Sequence, residues 1–144
     1  MFVGYHGTDA VFESFNCPVY FADNYKTAEF FAKRLKDIPR VLVCQIELKN
    51  PLIVNVDGQS WGGFFLDDTD LQEDCVKYVA GNDLQEEEYF KKEGLTINFL
   101  AEYAEHKGYD GLIAHNSYEE DGSLGTQYVV FNPENINLVY KFIM

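Results

Sequence analysis

Three short phrases hold the residues of this chain that could do chemistry: Tyr5-His6-Gly7-Thr8, Tyr20-Phe21-Ala22-Asp23 and Gln127-Tyr128-Val129-Val130-Phe131-Asn132-Pro133. His6 ends a short apolar opening run, where an imidazole is either idle or a hydrogen-bonding group for a ligand. In the third phrase, strand alternation puts Gln127 on the face of Val129 and Phe131, while Tyr128 and Val130 fill the other. An amide on an apolar face needs partners, because unpaired burial costs roughly 1–3 kcal/mol. A substrate hydroxyl is one candidate partner; a surface position at the first residue of the strand is the alternative. Metal chemistry is not indicated. Cys17, Cys44 and Cys75 show no CxxC or His-paired spacing. Asp67-Asp68-Thr69-Asp70 lacks the remaining ligands and the glycine of a calcium loop, so it reads as a solvated acidic turn. His106 falls near a helix C-terminus, where it suits the dipole, and His115 at a loop edge.

The elements that must position these residues follow from periodicity. Phe2 to His6 reads as an opening strand ended by Gly7 and Thr8, and Val19 to Ala22 as a second strand begun at Pro18. From Lys26 the spacing of Ala28, Phe31, Ala32 and Leu35 is helical, with Asp23 or Asn24 able to cap. Phe31 therefore sits on a stripe that would pack into a core regardless, and Phe30 takes its place if the helix is shifted by one residue. Val41 to Leu48 and Leu52 to Val56 are strands on either side of Asn50-Pro51. Between Asp57 and Gly94 the pattern is least regular, with a Ser60-Trp61-Gly62-Gly63 loop and polar-faced helices over Leu71–Ala80 and Leu84–Lys92. Thr96 to Lys107 is a helix with Ile97, Leu100, Ala101 and Ala104 as its apolar stripe and Gly108 at its left-handed end. Asp110 to His115, Thr126 to Phe131 and Ile136 to Phe142 complete the strands, with a polar loop expected over Asn116–Gly125. Strands at both ends and helices between them predict one α+β domain over residues 1–144, with mostly antiparallel pairing.

Composition narrows the partners. With 47% hydrophobic and 16% aromatic residues the chain can build a core, so disorder is excluded. The net charge of −13 gives no general attraction for phosphate backbones or anionic lipid. A protein with a basic surface fits better than nucleic acid, although a local pocket can still hold an anionic cofactor. No apolar stretch approaches the ~20 residues of a membrane span. The free-thiol pattern and an opening strand in place of a leader lead us to expect a cytoplasmic location.

In this order and spacing, the three phrases resemble the motif regions of the ADP-ribosyltransferase superfamily. The resemblance is to the His-Tyr-Glu branch that includes the poly(ADP-ribose) polymerases and diphtheria toxin. In that branch the first motif is a strand ending in His-Gly-Thr or His-Gly-Ser. The second is Tyr-Phe-Ala-Asp with a helical Tyr eight residues after the Asp, and the third is Glu-Tyr-(Val/Ile)-Val-(Phe/Tyr). Here the eighth residue after Asp23 is Phe31, and the motif glutamate falls on Gln127. Gly108-Tyr109-Asp110-Gly111-Leu112-Ile113 and the closing Val-Phe-Asn-Pro phrase are similar to small phage-borne and bacterial members. The likeness runs from Tyr5 to Pro133 and leaves 57–94 unmatched.

The resemblance implies a split, mostly antiparallel β-structure with flanking helices, NAD as substrate and no metal. It implies that His6 donates an N–H to the adenosine-side ribose, that the Gly7 backbone binds the nicotinamide carboxamide, and that Thr8 adds a hydroxyl. Tyr20 and Phe31 would sandwich the nicotinamide ring beside Ala22. Gln127 would bind the nicotinamide ribose and steady its oxocarbenium-like cation. The loop before the last motif strand, with Tyr118, Glu119 and Glu120, would recognise a basic protein target.

Three departures matter. Phe31 keeps the stacking face but lacks a hydroxyl, Ala28 falls where a family Ser would hold the carboxamide, and Gln127 brings no charge to the cation. A unit charge about 4 Å away is worth at most ~4 kcal/mol at an effective dielectric near 20, or roughly three decades in rate. Gly125 also removes the Glu-x-Glu pair of arginine-directed transferases. The expected function is mono-ADP-ribosyl transfer from NAD⁺ to a macromolecule, most simply a protein, inside the cell; a phage or bacterial effector that inhibits host defence would suit it. The alternatives are a catalytically weak NAD- or ADP-ribose-binding module, favoured by Gln127, and an acidic nucleic-acid mimic, favoured by the charge.

Overall fold

Alternating apolar positions in seven segments pair into one sheet. The computed structural model describes residues 1–8, 15–35 and 37–143. Its strands are β1 (Phe2–Thr8), β2 (Val19–Ala22), β3 (Arg40–Ile46), β4 (Pro51–Asn55), β5 (Gly111–Tyr118), β6 (Leu124–Val130) and β7 (Ile136–Ile143). Its helices are α1 (Tyr25–Ala32), α2 (Thr69–Ala80), α3 (Leu84–Glu93) and α4 (Ile97–His106). The strand order is β4-β5-β6-β2-β1-β3-β7, antiparallel except for the parallel β4/β5 pair. The α+β class holds, as one seven-stranded sheet whose two halves meet at a thin joint. There β1 pairs with β2 only through Tyr5 and Ala22, whereas β1 and β3 pair along the whole of Phe2–Thr8. That long pairing carries β1 through Gly7 and Thr8, past the end expected at His6.

Residues directly opposite one another in neighbouring strands share a face. Tyr5, Ala22, Gln127 and Ala114 form such a row across β1, β2, β6 and β5. On this face Val129, Leu112, Ala114, Leu52 and Val54 pack with the apolar residues of α2, α3 and α4 into the largest core cluster. The stripe expected on α4 is fully used, with Ile97, Leu100, Ala101 and Ala104 all at 2% exposure or less. Thr96 caps that helix by accepting from the Phe99 N–H, and Gly108 adopts the positive φ its end requires. On the opposite face Val19, Phe21, Leu42, Cys44, Ile46 and Val130 form a second cluster.

Helix α1 begins at the Asn24 cap, which accepts from the Thr27 N–H. It buries Ala28 and Ala32 against β1 and β3, but Phe31 is 49% exposed and Leu35 lies beyond the helix end. Phe31 is therefore not the core residue its spacing suggests. The small side chains of Ala28 and Ala32 bring the helix backbone onto Gly7, where a Cβ would sit 2.3 Å from the Ala28 carbonyl oxygen. At that close approach a phenylalanine one residue off the contact line turns outward.

The polar loop expected over Asn116–Gly125 is instead a tight hairpin. The Glu119 N–H donates to the Ser123 carbonyl, the Gly122 N–H to the Glu119 carbonyl, and Gly122 takes φ +84°. This is the three-residue turn completed by a left-handed glycine. Upstream, one extra residue bulges out of β5 between Ala114 and Ser117, with Asn116 at φ 58°. A one-residue bulge reverses the alternation beyond it. Ser117 and Glu119 thus share the face of Gln127, while Tyr118 points away.

Candidate active site

A cleft of about 410 Å³ opens on the helix-covered face where β1 and β2 part. That size falls within the range of small-ligand sites. Its floor includes Tyr5, Tyr20, Ala22 and Gln127; α1 supplies one wall with Ala28, Phe30 and Phe31, and Trp61 with the start of α4 supplies the other. The β5–β6 turn closes one end with Glu119, Glu120 and Asp121. Ala22 keeps the floor between Tyr5 and Gln127 low, because its side chain is a single methyl in the middle of that row.

His6 reaches the cleft at the joint. Its ring packs against Phe21 and Phe15, with centroids 5.7 and 6.4 Å away, and its Nδ1 donates to the Tyr20 carbonyl at 2.7 Å. A carbonyl can only accept, so Nδ1 holds the proton and Nε2 of the neutral ring is an acceptor. Burial lowers the His6 pKa, with the carbonyl bond opposing that fall, which keeps the ring neutral at pH 7. Toward the cleft, neutral His6 thus presents Nε2 as an acceptor, whereas the resemblance implies a donor. Gly7 lines the cleft, but the space its missing side chain leaves is filled by α1 rather than by the cleft. Thr8 is buried, about 7 Å farther along the strand than His6, and does not line the cleft.

Gln127 has the partner its face demanded, and it is neither a surface contact nor a ligand. Its Nε2 donates to both carboxylate oxygens of Glu119, at 3.1 and 3.0 Å. Glu119 was expected in a target-facing loop; the bulge turns it inward instead, to 6% exposure against the cleft. Burial raises its pKa above the ordinary carboxylate range. The Gln127 bond works against that rise, and Asp121 and Asp23 add to it. Glu120 is exposed and ion-paired with Arg34 just after α1, and Tyr118 is half exposed. Asp121 accepts from Thr27 Oγ1 at 3.0 Å and from Ser123 Oγ at 2.6 Å, which fixes the turn to α1.

Two residues of the cleft had no sequence signal. Trp61 comes from the unmatched stretch 57–94, and Asn98 from the first turn of α4. Trp61 is held there because its carbonyl accepts from the Ile97 N–H, while Phe64 and Leu95 exchange backbone hydrogen bonds. His106 stacks on Tyr78, and His115 on β5 meets Thr126 on β6, both away from the cleft. Asp68 caps α2. Among the described residues no group of three or more His, Cys, Asp or Glu could hold a metal, and no helix is long and apolar enough to cross a membrane.

The seven-stranded, mostly antiparallel sheet with its helices is consistent with an ADP-ribosyltransferase-like fold, and its parting is lined by an imidazole, aromatic faces and an amide. The family model described as "ADP-Ribosyltransferase in polyvalent proteins" matches residues 1–141, and the chain belongs to that family. Its class of activity is ADP-ribosyl transfer, for which the family uses NAD as substrate. Comparisons with curated proteins and with solved structures gave no match.

Proposed function

We propose that this chain transfers a single ADP-ribose from NAD⁺ to a macromolecule, most simply a protein with a basic surface, and releases nicotinamide. The observation that carries the reading is that His6, Gly7, Tyr20, Ala22, Phe31 and Gln127, distant in sequence, all line one cleft. Tyr20 and the half-exposed Phe31 offer faces to the flat pyridinium, with Phe30 and Trp61 beside them. Neutral His6 accepts from a ribose hydroxyl through Nε2. Both Gln127 Nε2 bonds go to Glu119, so its amide oxygen is the atom left for the second ribose. Tyr118 on the outer side of the hairpin and Glu120 at the cleft rim beside Arg34 are its target-facing residues, in keeping with a phage or bacterial effector at work in a cytoplasm.

Incubation of the protein with labelled NAD⁺ and cell extract tests this. Label should appear on a macromolecule with wild-type protein and be lost with His6→Ala. Tyr118→Ala should lower target labelling while nicotinamide release stays unchanged. NAD⁺ binding without any transfer would support the binding-module reading that Gln127 suggests, and salt-sensitive partner capture without NAD⁺ binding would support the acidic mimic.

A further inference from the structure

We propose that Glu119 is the carboxylate that steadies the ribosyl cation in this chain, and that Gln127, at the position of the family's triad glutamate, positions it. This rests on the reading of the cleft as an NAD site.

Three observations support it. Glu119 lies buried in the cleft wall, held through both oxygens by one amide. The bulge at Asn116 is what turns it onto the face of Gln127. Among the described residues its ionisable neighbours, Asp23 just after β2 and Asp121 in the turn, are acids that oppose its charge. A structural carboxylate would be expected to pair with a cation, as the adjacent Glu120 does with Arg34. A buried carboxylate facing acids is costly unless a cation completes it. NAD⁺ supplies that cation during reaction.

As the C1′–N1 bond breaks, its electron pair leaves on N1 and neutralises the pyridinium, so the departing nicotinamide is uncharged. The positive charge moves to C1′ and the ring oxygen, where an ionised Glu119 opposes it. The acceptor nucleophile then bonds to C1′ through a lone pair and gives its proton to solvent. Glu119 stays ionised throughout and forms no bond. Such stabilisation is effective because the carboxylate is fixed before the charge develops.

The test is nicotinamide release from NAD⁺ by the purified full chain, as kcat and KM across pH. Glu119→Gln keeps the shape and a hydrogen bond to Gln127 but removes the charge. It should lower kcat by about a hundredfold to a thousandfold, with KM within about threefold. The groups around the cleft that act on this profile are Asp23, Asp121, Ser117, Gln127 and, from β1, His6. In Glu119→Gln only the limb set by His6 should remain. The exchange Glu119→Gln with Gln127→Glu returns the charge to the strand and should recover most of kcat. Wild-type kcat in Glu119→Gln, a change in KM alone, or an exchange no faster than the single variant overturns the proposal. Should Glu119→Gln not fold, Glu119→Asp decides: an intermediate kcat at unchanged KM supports it, and wild-type kcat overturns it. If the wild-type chain itself releases no nicotinamide, the NAD reading falls first and this inference with it.

Discussion

A neutral imidazole can face a ligand as donor or acceptor, and the Tyr20 carbonyl selects the second for His6. The two titrations at the cleft act on stability in opposite ways. His6 has a lowered pKa, so stability is lost as pH falls through the ordinary histidine range. Glu119 has a raised pKa, so its folded form binds the proton more tightly than the unfolded chain does. Stability then declines as pH climbs from the ordinary carboxylate range to the raised value. Glu119→Gln removes that decline and leaves His6 as it was. Thermal unfolding of the two proteins should coincide in acid and diverge as pH rises, with Glu119→Gln the more stable above the folded pKa. A gap independent of pH would mean that Glu119 does not titrate in a buried setting. At this scale the phrases around His6, Tyr20 and Gln127 single out residues that all line the cleft. Glu119 was not legible in the sequence, because a carboxylate in a polar acidic stretch carries no mark of which way its strand faces.

That facing is decided by an element, the β5–β6 hairpin. Asp121-Gly122 is a strong turn signal, yet the many polar residues around it read as loop, and the bulge that reverses the alternation has no signal beyond Asn116 itself. Asn is one of the few residues that accept a left-handed backbone readily, and a β-branched residue there costs about 1–2 kcal/mol. Asn116→Val should therefore destabilise the protein by roughly that amount in urea unfolding and lower nicotinamide release as the grip of Gln127 on Glu119 loosens. Asn116→Gly should preserve both. Equal stability for Val and Gly would show that the bulge does not set the facing of the hairpin. Helix α4 was legible to its cap, since its stripe and its burial coincide. Helix α1 was legible in existence but not in what Phe31 does, because the packing distance set by Gly7, Ala28 and Ala32 depends on a strand distant in sequence.

Among the described residues, the largest core and helices α1 to α4 build on one face of the sheet, and the cleft lies where that cover is interrupted between α1 and α4. Alternation and end strands predicted the α+β class, but not a single sheet nearly divided at β1/β2, which depends on the short pairing of two strands. The joint opens the cleft, and Trp61, from the unmatched stretch 57–94, completes its wall with Asn98 of α4. The central claim is that this cleft binds NAD⁺ by its nicotinamide half. The most direct measurement is a crystal structure with a non-cleavable NAD⁺ analogue at saturating concentration. The nicotinamide ring should lie between Tyr20 and Phe31, with its carboxamide on the Gly7 backbone and its ribose beside Gln127 and Glu119. An analogue bound elsewhere on the protein, or absent from a cleft that stays open, would contradict it.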